Sequence, residues 1–236
     1  MKVFAYVGSR NPSSLTLNLT QRFINEFSSS YSGGIDITIR TPLNSNIKEC
    51  IGCGTCFSSL KCAIQDDVVP LIHEITSSDI IIFSSPVYFH AVSGSMKIFI
   101  DRLSCLTHIL GLIGKIGVCI DVSESNGNNF VQEYLSKVLS YLGISVVTSI
   151  SLQKVQSDQV VIRKIKQSAQ KLCRSIQTCD FPVTPIQENL YTTLQLYSQS
   201  HALTESECQY WVQHYSDCFS FRDAFDKNCS ITKLSD

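Results

Sequence analysis

A short apolar run followed by a segment of helical period recurs along the first 176 residues, and this alternation most narrows the folds open to the chain. The runs fall at 3–7, 35–39, 80–83, 117–120 and 144–150. Helical segments are expected at 15–27, 68–75, 96–103, 130–142 and 160–176. In the first of them Leu15, Leu19, Phe23 and Phe27 share one face. Ile80-Ile81-Ile82-Phe83 is apolar throughout, as a strand buried on both faces must be. Strand alternating with helix predicts a doubly wound α/β fold with a five-stranded parallel sheet. A ligand on such a sheet sits outside the carboxyl ends of the strands. The loops 8–16, 84–95 and 121–129 leave those ends. The stretch after the second strand is expected on the same rim.

That stretch carries the densest chemistry in the chain. Cys50, Cys53, Cys56 and Cys62 give the spacing C-x2-C-x2-C-x5-C, with Gly52 and Gly54 between them and Asp66-Asp67 just beyond. Two residues between thiols, twice over, lets consecutive thiolates turn toward one iron–sulfur cluster. The fourth cysteine closes the same loop, so a single local cluster needs no ligand from elsewhere. The spacing also admits a zinc site, a redox dithiol pair or a surface loop of free thiols.

The first loop, Gly8-Ser9-Arg10-Asn11-Pro12-Ser13-Ser14-Leu15-Thr16, joins a strand to a helix start through hydroxyl side chains. Free amides and the helix dipole there favour a phosphate. A plain loop with a Ser cap fits the same residues. The spaced glycines of a dinucleotide fingerprint and the Gly-Lys-Ser/Thr of a P-loop are both missing.

Composition bounds the rest. The formal net charge of −1 offers no footprint for nucleic acid. No stretch reaches the roughly 18 apolar residues of a membrane span. Residues 1–7 read as a strand rather than a signal peptide, so the eleven cysteines are expected in a reducing cytoplasm. Cys105 and Cys119 sit among apolar residues and read as core. Beyond 178 the pattern changes. Two prolines fall in 179–185, followed by partly helical segments at 190–203 and 206–225 rich in Tyr, Trp and Phe. Thr204 and Glu207 have capping-box spacing. The chain is therefore divided into a domain at 1–178 and a helical extension at 179–236. The extension is expected to pack on the sheet, to form an interface, or to serve as a lid.

Residues 1 to about 175 resemble the flavodoxin-like NAD(P)H-dependent FMN reductase family, and within it the iron–sulfur flavoproteins of anaerobic archaea and bacteria. Gly8, Ser9, Ser14 and Thr16 keep the places of that family's phosphate loop, whose Pro and Arg are replaced here by Arg10 and Asn11. Ser85-Pro86-Val87-Tyr88-Phe89 is similar to the segment that lies along the isoalloxazine. The resemblance implies FMN, with its phosphate at Ser9, Arg10, Ser14 and Thr16. It places the ring between Pro86, Val87, Tyr88 and Phe89 on one side and Ser123 and Gly127 on the other. Family members usually carry a Gly pair in the third loop, and this chain does not. The resemblance further implies a [4Fe–4S] cluster on Cys50, Cys53, Cys56 and Cys62. It implies a ferredoxin or NAD(P)H as electron donor, a small-molecule acceptor, and a homodimer or homotetramer. Cluster-free relatives carry a similar cysteine segment, so a quinone- or FMN-reductase with redox or zinc-binding cysteines is the alternative. Asp66 and Asp67 are expected to hold loop backbone, and Asp101 and Arg102 to serve packing. Hydride transfer to a flavin needs no side-chain base, so no catalytic side chain is assigned.

Overall fold

The computed structural model describes residues 1–231. Strands β1 (Lys2–Val7) and β2 (Asp36–Arg40) flank helix α1 (Leu15–Ser30). The cysteine segment follows, holding the short helix α2 (Thr55–Ser59), and then α3 (Val68–Thr76). Next come β3 (Ile80–Tyr88), the two-residue strand β4 (Ala91–Val92), α4 (Gly94–Arg102) and β5 (Ile116–Ser123). Helix α5 (Asn128–Tyr141), β6 (Ser145–Gln153) and α6 (Asp158–Thr178) complete the alternation. The extension adds α7 (Pro185–Gln199), α8 (Glu205–Tyr215) and α9 (Phe221–Asn228).

Five strands pair in parallel in the order β2-β1-β3-β5-β6. This is the flavodoxin-like order, with its switch point between β1 and β3. One face is covered by α1 and α6, through Leu19, Phe23 and Phe27 against Val161, Ile165 and Leu172. The other is covered by α3, α4 and α5, through Leu71, Phe99, Val131 and Leu135. α1 buries Leu19, Phe23 and Phe27 of its predicted stripe, whereas Leu15 at its first turn stays exposed.

Two strands outrun the sequence expectation. β3 continues through Ser84, Ser85, Pro86, Val87 and Tyr88, then folds back as β4 in a two-residue hairpin pairing Tyr88 with Ala91. The sheet thus gains a sixth, antiparallel strand beyond the five foreseen. β5 reaches Ser123 because β6 extends beside it to Gln153. Asp121, Val122 and Ser123 are therefore sheet residues, not loop.

The extension caps the amino ends of the strands. Gln187 Nε2 donates to Ile144 O at 3.0 Å, and Ser145 Oγ to Pro182 O at 2.6 Å. The Tyr215 hydroxyl lies 3.0 Å from Ile109 O, and Trp211 Nε1 donates to His108 O at 2.9 Å. Phe181, Tyr191, Trp211 and Phe225 share one apolar cluster with Val3, Ile80 and Ile116 of the sheet. The capping box of Thr204 and Glu207 is formed. Among the described residues no helix is long and apolar enough to cross a membrane.

Phe181→Ala is expected to destabilise the fold by about 3–5 kcal/mol, as for a buried aromatic of any core. Because one cluster spans sheet and extension, the single Trp211 should report the same urea midpoint as far-ultraviolet circular dichroism. Two separate midpoints would mean that the extension unfolds on its own.

Candidate flavin groove and cysteine segment

The carboxyl ends of β1, β3 and β5 open into a groove of about 420 Å³. Ser9, Asn11, Ser13, Ser14, Leu15 and Thr16 line one end of it. Pro86, Val87 and Tyr88 line it together with Val122, Ser123, Glu124 and Lys154, Pro86 and Val122 lying side by side on adjacent strands. Its polar end is built by the start of α1. Ser14 is the N-cap, its hydroxyl accepting from Leu17 N at 3.2 Å. The amides of Leu15 and Thr16 have no carbonyl four residues back inside the helix. They face the groove with the dipole behind them, as a bound phosphate requires.

Close contact between loops fixes the groove's floor. Gly8 N donates to Ser84 O at 2.8 Å, and the Ser93 hydroxyl donates back to Gly8 O. A Cβ on Gly8 would stand 2.6 Å from Met96 Cβ and 2.8 Å from Ser93 Oγ, so only glycine fits. Ser93 also caps α4, its hydroxyl accepting from Met96 N at 3.1 Å. The hydroxyls around the groove fall into two sets. Ser9, Ser14 and Thr16 border the groove, whereas Ser84, Ser85 and Ser93 are buried braces.

Three expected contacts fall elsewhere. Arg10 turns away from the groove, its Nε donating to Ser95 Oγ at 3.2 Å. It lines a neighbouring polar cleft of about 320 Å³ with Tyr6, Asn44, Ser45 and Asp67. Phe89 projects fully into solvent, at 103 % relative exposure, from the tip of the β3–β4 hairpin. Gly127 sits below the groove as the residue before α5, at φ 81°. A Cβ there would meet His90 Cδ2 at 2.8 Å and Val87 Cγ1 at 3.0 Å, so its role is to admit the hairpin. His90 stacks on Phe130 with ring centroids 5.4 Å apart. Lys154, 3.0 Å from Glu124, was not foreseen. It lies outside every motif, and only the added length of β6 brings it to the rim.

Beneath the groove lies a buried carboxyl. Asp121 accepts from Asn128 Nδ2 at 2.6 Å and from Ser151 Oγ at 2.9 Å. Burial raises its pKa to about 6 against these hydrogen bonds and the charge of Lys164.

The cysteine segment departs from expectation in position. It starts at the strand ends, but its thiols do not border the groove. It runs down the outside of α4 instead. Cys62 receives a 3.3 Å hydrogen bond from Arg102 Nη2 at the end of that helix. Two ties cause this. Arg102, buried, forms a two-pronged pair with Asp66 at 2.6 and 3.1 Å and donates to Lys48 O at 2.7 Å. α8 holds α2 from the other side, with Thr204 Oγ1 2.7 Å from Phe57 O and Ser206 Oγ donating to Ser58 O. Phe57 stacks on His108 at 4.8 Å, and His108 Nδ1 lies 2.9 Å from the buried Glu207 carboxylate. Asp66 and Asp67 hold loop backbone as expected, accepting from the amides of Lys48, Val68 and Asn46.

The four thiols are free, Cys50 and Cys53 exposed and Cys56 and Cys62 half-buried. Burial pushes the Cys56 thiol up, and the neighbouring Cys62, Cys50 and Cys53 push it further. All four therefore lie within electrostatic reach of one point. The Thr55 hydroxyl and amide hold the Cys53 thiol below its ordinary value. Gly52 and Gly54 take φ of 67° and 71°, the left-handed turns that let the loop double back. Among the described residues no three His, Cys, Asp or Glu side chains close on a single metal ion. A zinc ion needs its four thiolates at about 2.3 Å from one centre.

A parallel sheet in this order, with an amide- and hydroxyl-lined pocket at its carboxyl ends, defines a flavodoxin-like fold. The chain belongs to the NADPH-dependent FMN reductase family, whose profile matches residues 1–157. It is 39 % identical over 99 residues to an iron-sulfur flavoprotein of Archaeoglobus fulgidus, covering 42 % of this chain and 45 % of that one. It is 33 % identical over 125 residues to another of Methanocaldococcus jannaschii, covering 53 % and 63 %. The matches thus span less than two thirds of these relatives. Among solved structures, RosB with a bound intermediate superimposes at a TM-score of 0.63 over 85 % of this chain and 87 % of that one, at 16 % identity. That identity speaks for the fold alone.

Two measurements probe the site. Asp121 has a folded pKa raised from 3.8 to about 6, so its contribution to stability is complete below the lower value and is lost as pH rises through the upper one. Asp121→Asn should therefore gain on the parent chain in urea midpoint between about pH 4 and pH 7. A constant difference over that range would contradict the assignment. Phe89 and His90 hold φ of 51° and 63°, the type I′ turn that Asn-Gly prefers. Phe89→Asn should raise stability by about 1 kcal/mol by relieving the left-handed strain, read by chemical denaturation.

Proposed function

We propose that this chain is an iron–sulfur flavoprotein oxidoreductase. In this reading it passes electrons between a ferredoxin or NAD(P)H donor and a small-molecule acceptor, through FMN and a [4Fe–4S] cluster, as a homo-oligomer. The observation that carries the reading is four cysteines on one short loop whose last, Cys62, takes a hydrogen bond from the buried Arg102. The names borne by the Archaeoglobus and Methanocaldococcus relatives support it.

The residues divide the work. The amides of Leu15 and Thr16, with Ser9 and Ser14, receive the phosphate. Pro86, Val87 and Tyr88, with Val122 and Ser123, exclude water from the ring position. Glu124 and Lys154 stand at the mouth, where a charged substrate meets them first. FMN, when bound, supplies exchange between two-electron and one-electron chemistry. Cys50, Cys53, Cys56 and Cys62 would hold the cluster, and the exposure of Cys50 and Cys53 leaves one side open to a protein donor.

A cluster-free FMN reductase is the second reading. It is favoured by the absence of cysteines from the groove's lining and of a closed metal site among the described residues.

Protein purified without oxygen should show flavin absorption on a broad visible background, with iron and acid-labile sulfide in equal amounts. Cys56→Ser should strip the iron and leave FMN bound. Flavin absorption alone, with zinc or no metal, would overturn the first reading in favour of the second.

A further inference from the structure

We propose that Arg102 sets the reduction potential of the cysteine-bound cluster by pressing a buried cation against Cys62. The inference rests on the cluster reading above and assigns a tuning role to a residue outside the four ligands.

The argument begins with the guanidinium's donors, five N–H groups in a fixed fork. Two are taken by Asp66, at 2.6 Å from Nη1 and 3.1 Å from Nη2. One goes from Nη1 to Lys48 O at 2.7 Å, and one from Nη2 to Cys62 Sγ at 3.3 Å. The remaining Nε–H is buried with no partner. Folding alone would be served by the Asp66 pair and the Lys48 carbonyl. A donor on sulfur is a further commitment, kept while a sister N–H goes without.

The arrangement is one-sided. The side chains of Arg102 and Asp66 are inaccessible to water, so the charge beside Cys62 is poorly screened. Among the four thiols Arg102 donates only to Cys62, whereas Cys53, which also feels the Arg102 charge, takes its hydrogen bonds from the neutral Thr55, and Cys50 and Cys53 face solvent. Cluster potentials follow net charge, hydrogen bonds to sulfur and solvent exposure. An added electron places more negative charge on the thiolate sulfurs, and a charge-assisted N–H···S contact strengthens with it. Arg102 therefore favours the reduced state and raises the potential. Asp66, paired to the same guanidinium, moderates the effect, so the two residues act with opposite signs.

The test is a midpoint potential for the cluster, from a dithionite titration followed by electron paramagnetic resonance. It uses the full chain with its cluster and flavin. Arg102→Gln should make the cluster harder to reduce by at least tenfold in the one-electron equilibrium, about 59 mV. Arg102→Lys, which keeps the charge and loses the fork, should fall between Gln and the parent. Asp66→Asn should shift the potential the other way. A merely structural arginine would not produce shifts of opposite sign from the two partners. Equal potentials in iron-replete Arg102→Gln and parent protein overturn the proposal. Loss of iron from both Arg102 variants also overturns it, leaving Arg102 as a structural clamp. If only Arg102→Gln loses iron, a lowered potential in Arg102→Lys supports the proposal and an unchanged one refutes it. Absence of iron and sulfide from the parent chain would instead refute the cluster reading, and the tuning role with it.

Discussion

Helix α4 is the rod on which both chemical features hang. Its N-cap, Ser93, is bonded into the floor of the groove through Gly8, and its last residue, Arg102, grips Asp66 and Cys62. Nine helical residues span about 13 Å. That length fixes how far the grip on Cys62 lies from the phosphate loop. Met96 and Phe99 between the two ends are fully buried against Tyr6 and Phe83 of the sheet. The rod cannot rotate to move one end without unpacking the middle. Separation and orientation are therefore properties of a packed core rather than of flexible loops.

The extension adds a second support. It covers the amino ends of the strands, opposite the groove, and from there α8 reaches back to the carbonyls of α2. The cysteine segment is thus held between α4 and α8. Glu207 ties the arrangement together, since its carboxylate takes the Thr204 amide at 2.9 Å and faces His108 at the same distance. The loop itself buries little, and Cys50, Ile51, Cys53 and Lys61 are all exposed. Its shape comes from what surrounds it.

Much of this was legible in the sequence. Apolar runs such as 80–83 and periodic stripes such as Leu19, Phe23 and Phe27 announce strand and helix through local burial, and the alternation then leaves few topologies open. Ser9, Ser14 and Thr16 were legible at the groove's polar end because a strand–loop–helix junction places them by chain geometry, and 86–88 through the resemblance of that segment to one that lies along an isoalloxazine. What escaped depends on partners far apart in the chain. Arg102 meets Asp66 across 36 residues, and Thr204 meets Phe57 across 147. No local pattern reports such a pairing, so the cysteine segment was expected on the rim and lies along α4. Arg10 was placed by analogy of position, yet Ser95 draws it into the adjoining cleft. Lys154 became visible only once β6 was seen to continue alongside β5.

The buried and exposed sulfurs divide the molecule's chemical ageing. Cys105, Cys119, Cys173, Cys208, Cys218 and Cys229 are sealed in the interior. Oxidation follows exposure and thiolate character, and Cys53 has both. Oxidation in air would begin at that thiol and leave the sheet and its groove intact. An aged sample would keep its fold while losing the thiols that this loop presents to solvent.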